Sequence, residues 1–132
     1  MKGLVKIKYK NKIIAIIIRN NINVTEGVNF FTSPEEPLQI ALHSYKSKKV
    51  TNIHHNRLLA PIIQTQKYKY IYIIRGGARV VFSLENKKEF NKISLKNGDG
   101  VIIMDVYHKI IFEPDTQATE IKQGPFDSKN EH

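Results

Sequence analysis

The chain predicts an all-β, antiparallel domain, on three observations. Short runs rich in β-branched and aromatic residues recur at a spacing of roughly 8–12 residues, the rhythm of a sandwich or barrel. Clusters of Gly, Pro, Asn, Asp and Ser separate the runs. No stretch carries an apolar stripe at helical period for about three turns.

The elements follow in order. Residues 4–10 alternate lysine with apolar side chains, Asn11 and Lys12 supply a turn, and residues 13–18 form a nearly continuous apolar strand. An Asn-rich loop over 19–27 leads to a short extended run at 28–31. Pro34 and Pro37 make 33–37 irregular, because each removes a backbone donor and restricts the residue before it. Residues 38–45 return to a strand that the lysine-rich 46–49 turn. Further strands are expected over 50–55, ending in the pair His54-His55, and over 58–65, where Pro61 suits an edge.

The centre of the chain is 67–82. Tyr68, Tyr70, Tyr72 and Ile74 share one face; Lys69, Ile71 and Ile73 share the other. Neither face is fully polar, which describes a central strand covered on both sides, with its lysines near the open end. Arg75-Gly76-Gly77 reads as a tight hairpin turn to the next strand, since glycine supplies positive φ. Residues 85–89 turn again, 90–95 are a strand, and 96–100 are a second strong turn that the Asp99 side chain holds after Gly98. Strands follow at 101–104, 108–113 and 119–122. One domain over 1–126 contains them all, and the polar tail 127–132 frays.

A chain of 132 residues builds one core. With no cysteine, neither a disulfide framework nor a thiolate metal site is possible. The longest apolar run, 13–18, is far below the ~20 residues of a membrane helix, and the N-terminal alternation is not a signal peptide's apolar block. The expectation is a cytoplasmic protein with no membrane partner. The formal charge is +9, with ten Lys/Arg against three Asp/Glu in residues 1–66. These lysines alternate along strands and form no dense block, so they read as solvated strand faces and not as a nucleic-acid surface.

Beyond these patterns, Gly98-Asp99, the apolar run after Gly100 and then His108 resemble the second conserved motif of the cupins. His54-His55, the Tyr-rich strand and Arg75-Gly76-Gly77 resemble the first, whose pattern is His-x-His, a later Glu, then a strand ending in Gly. Residues 26–32 (Glu-Gly-Val-Asn-Phe-Phe-Thr) and 121–126 (Ile-Lys-Gln-Gly-Pro-Phe) are similar to segments of small single-domain cupins found among polysaccharide and sugar-nucleotide genes. The resemblance spans residues 15–126. It implies a cupin β-barrel (a jelly roll, or double-stranded β-helix) with a cavity between two sheets, often dimeric. It also implies one divalent metal on the first-motif histidines, the glutamate and the second-motif histidine.

The ligand set departs from that pattern. His108 matches the last ligand, but the first motif reads Ile53-His54-His55-Asn56, and neighbours on a strand face opposite ways. Lys69, or Lys67 in the other alignment, stands where the glutamate belongs. An ammonium has no lone pair to give and repels a divalent ion. His54, His55 and His108 are thus candidate ligands for a weakly bound divalent metal at most, and the site is expected to be degraded or absent. A lysine there can instead hold a carboxylate or phosphate.

The ligand-binding candidates are Lys69, Lys67, Arg79, Tyr70, Tyr72 and Gln39, with the tyrosines able to stack on a ring. Two functions follow. In one, the cavity binds a small anionic carbohydrate-type ligand. In the other, the chain is a cupin enzyme using His108 and the His54/His55 pair: either a metal-dependent isomerase or oxygenase with an atypical ligand set, or a metal-free sugar isomerase or epimerase with His108 as the proton-transfer group. No nucleophile motif or Gly-rich phosphate loop is present. A homodimer paired through the N-terminal strands would hide a sheet edge.

Overall fold

The structure is a computed structural model that describes residues 2–52 and 68–123. Ten strands and no helix lie among the described residues: β1 (Leu4–Tyr9), β2 (Lys12–Ile18), β3 (Gly27–Phe30), β4 (Ala41–Ser44), β5 (Lys69–Arg75), β6 (Gly77–Ser83), β7 (Glu89–Lys96), β8 (Gly100–Ile103), β9 (Tyr107–Phe112) and β10 (Gln117–Lys122). No helix among these residues is long and apolar enough to cross a membrane. Residues 50–52 are not strand. The rest of the expected strands at 50–55 and 58–65, and the chain from Gly124, lie outside the described residues.

All pairings are antiparallel. They make a five-stranded sheet in the order β1-β2-β8-β5-β10, a three-stranded sheet β7-β6-β9, and the pair β3-β4. The ladders do not close the expected barrel. Among the described residues they stop at β1 and β10 in one sheet and at β7 and β9 in the other, so the sheets face each other across a core.

The expected central hairpin is corrected. β5 pairs with β8 and β10, whereas β6 pairs with β7 and β9. Arg75-Gly76-Gly77 is therefore a corner that carries the chain from the large sheet to the small one. Gly76 has φ +94°, and a Cβ there would stand 2.7 Å from the Thr116 Cα. The same local signal serves a hairpin or a corner; the partners that decide between them are distant in sequence. β6 instead forms its hairpin with β7, closed by Leu84 N–H donating to the Lys88 carbonyl at 2.9 Å.

Alternation sorts the core into two layers. Ala15 and Ile17, Ile71 and Ile73, and Val101 and Ile103 of the large sheet meet Ala78, Val80, Phe82 and Leu95 of the small one. Their neighbours Ile16, Ile18, Ile102 and Met104 point the other way, under Phe31, Leu38 and Ile40 from the segment around β3 and β4. Two covered faces explain the continuous apolar run of β2. Tyr68, buried on that outer face, donates its hydroxyl to the Glu36 carboxylate. Burial first, then Glu36, pushes the phenol well above its ordinary pKa, which keeps it a donor.

The second strong turn is held as expected. Asp99 is fully buried and accepts from the backbone N–H of Lys96 and Asn20, both at 2.9 Å, and from Arg19 Nη1 at 2.9 Å. Its carbonyl accepts from Ile73 N–H at 2.9 Å. One carboxylate thus ties the loop after β2 and the end of β7 to the start of β8.

Candidate functional site

His108 lies on β9 opposite Phe82 of β6, so its ring points to the interior between the sheets. Lys69 opens β5 on the face it shares with the buried Ile71 and Ile73. Strand β10 sets Glu120 opposite Ile71 on that same face, and Glu120 Oε1 stands 3.6 Å from Lys69 Nζ. Lys69 and Glu120 thus pair at one end of the sandwich, near enough to His108 for both charges to act on it.

The imidazole is half-buried, and its Nδ1 lies 3.0 Å from the Val106 carbonyl. A carbonyl only accepts, so Nδ1 carries the proton and Nε2 is the lone-pair nitrogen of the neutral ring. Burial holds the pKa below the ordinary histidine value of 6.5. The bond to Val106 opposes this, the Lys69 charge adds to it, and Glu120 opposes it. The arrangement offers a neutral proton acceptor beside an ammonium and its carboxylate.

The remaining candidates go elsewhere. Arg79 is exposed on the outer face of the small sheet, 3.9 Å from Glu113, because the inward positions of β6 are Ala78, Val80 and Phe82. Tyr70 and Tyr72 alternate with Lys69 and so face away from His108. Tyr70 packs in the outer layer, where burial, then Tyr72, raises its pKa, and Tyr72 is 40% exposed. Gln39 is exposed and donates its amide to the carbonyls of Ser33 and Glu36, closing the proline-containing loop. His54, His55 and Lys67 lie outside the described residues.

Glu120 is the member that sequence reasoning missed. Its strand was legible, but nothing local says that it pairs with β5. As a metal centre the cluster does not fit: beside His108 stands one carboxylate already engaged by an ammonium. Among the described residues, no three His, Cys, Asp or Glu gather to hold an ion. Comparison of the chain with protein-family models, curated proteins and solved structures gives no match.

Proposed function

We propose that the chain is a small cupin-type jelly roll that binds an anionic carbohydrate-type ligand between its sheets, at the end where Lys69 and His108 meet. One observation carries the reading: a lysine and a neutral histidine, from opposite sheets, point into one apolar interior. The ammonium attracts a carboxylate or phosphate, and the imidazole exchanges hydrogen bonds with hydroxyls. In this reading the protein is a cytoplasmic homodimer paired through β1, and light scattering measures whether the mass is that of one chain or two.

Thermal unfolding in galacturonate, a sugar nucleotide and neutral galactose tests the ligand class. A ligand at a hundred times its Kd adds about 2.7 kcal/mol of stability. The charged sugars should raise the melting temperature, with neutral galactose inert and the gain lost in Lys69→Met. An equal gain in Lys69→Met would remove Lys69 from the reading.

A second reading rests on the histidine alone. Neutral near pH 7 with Nδ1 anchored, His108 suits proton abstraction from a sugar carbon, as in an isomerase or epimerase. Incubation of candidate sugars in deuterated water should then wash label into the sugar with the native chain and not with His108→Asn. Absence of wash-in for every sugar that binds would leave a binding protein.

A further inference from the structure

The other end of the sandwich carries a second polar site. Strand β8 runs from Gly100, beside Ile18 and Tyr72, to Ile103, beside Ala15 and Lys69. Arg19 follows Ile18, so it stands at the end opposite Lys69. It opens into a cleft of about 430 Å³ that it lines with Asn20, Asn21, Ser94, Leu95 and Lys96. That volume is in the range of small-molecule sites.

Arg19 is built into this wall. Its Nη1 donates to the Ser94 carbonyl at 2.7 Å and to Asp99 at 2.9 Å, which fixes the plane of the guanidinium. Neutralising Asp99 needs only that nitrogen, because the carboxylate also has the N–H groups of Asn20 and Lys96. The Nε and Nη2 donors have no partner among the described residues, and the side chain is 32% exposed. Asn20 is likewise fixed, its amide donating to the Asn97 carbonyl at 2.7 Å. Lys96 adds a second cation, no acid among the described residues lines the cleft, and the Asp99 carboxylate is sealed behind the arginine at 0% exposure.

A fixed guanidinium with a free edge is a fork for two oxygens of one anion. The pairing with a second cation favours a doubly charged group over a single carboxylate. We propose that this cleft binds a phosphate group, held in the fork of Arg19 and neutralised by Lys96, independently of the His108 end. Because Asp99 and Ser94 orient the arginine beforehand, little side-chain freedom is lost on binding.

The test is a titration of the intact protein at constant ionic strength, followed by amide and arginine NMR signals. The probes are inorganic phosphate, glucose 6-phosphate and acetate. Saturable shifts at Asn20, Asn21, Lys96 and the Arg19 Nε–H are expected with both phosphates. Lys96→Glu and Asn21→Asp, which leave the bonds to Asp99 in place, should each weaken binding tenfold or more; His108→Asn should leave it unchanged. Tighter binding of the ester would assign the phosphate to an organic ligand, and equal or tighter binding of the inorganic ion would assign it to free phosphate. Non-saturating shifts, unchanged affinity in Lys96→Glu, or acetate binding as well as phosphate would overturn the proposal.

Discussion

The half-buried His108 and the fully buried Asp99 resist change in different ways. Burial keeps the folded pKa of His108 below 6.5, the ordinary value it regains in the unfolded chain. Below about pH 6.5 the unfolded chain therefore binds more protons, and stability should fall as pH drops through the folded pKa. Above that window His108 adds no pH dependence. Urea unfolding from pH 7.5 to 5 should show this slope, flattened in His108→Asn; an NMR-titrated pKa at or above 6.5 would contradict it. Asp99 is a matter of partners. Asp99→Ala leaves Arg19 and two N–H donors without their acceptor and should cost about 3–5 kcal/mol. Lys12→Ala, which breaks only the exposed 3.4 Å pair with Asp105, should cost about 0–1 kcal/mol in the same urea experiment.

Among the elements, the corner at Gly76 makes the sharpest prediction. Gly27 and Gly76 both have positive φ, +112° and +94°, so alanine strains the backbone at either position. Only at Gly76 does the added Cβ also meet Thr116, whose hydroxyl donates to the Gly77 carbonyl at 2.9 Å and accepts from its N–H at 3.1 Å. Gly76→Ala should therefore lose at least about 1 kcal/mol more than Gly27→Ala, since strain alone costs on the order of 1–3 kcal/mol. Equal losses would mean that Thr116 yields freely. The strands themselves were legible, because period-two alternation is a local property, and β1, β2 and β7 fall within a residue or two of expectation. What each strand pairs with is not local. That is why the corner read as a hairpin and why Glu120 escaped notice. Tyr70 and Tyr72 alternate with Lys69 on one strand, and inward residues flank Arg79, so none of the three lies on the face that Lys69 shares with the core.

At the scale of the whole molecule, one interior is shared by two sheets that neither half of the chain completes alone. Phe82 is fully buried at its centre, and Phe82→Ala should cost about 3–5 kcal/mol, read as one cooperative unfolding transition. Two separate transitions would show that the sheets hold together independently. From β7 onward the chain changes sheet at every connection, so β8 and β10 join the large sheet and β9 the small one.

That crossing has a consequence on the ribosome. Arg19, at the end of β2, meets Asp99, at the start of β8, 80 residues further along. At roughly 5–20 residues per second, β2 emerges about 4–16 seconds before the strand that completes it. For that interval one ladder edge of β2, with its apolar side chains destined for two different layers, has no partner strand, and only the lysine-studded β1 is paired beside it. The nascent chain is an aggregation hazard that the finished protein conceals, and the lysines of β1 are its earliest protection.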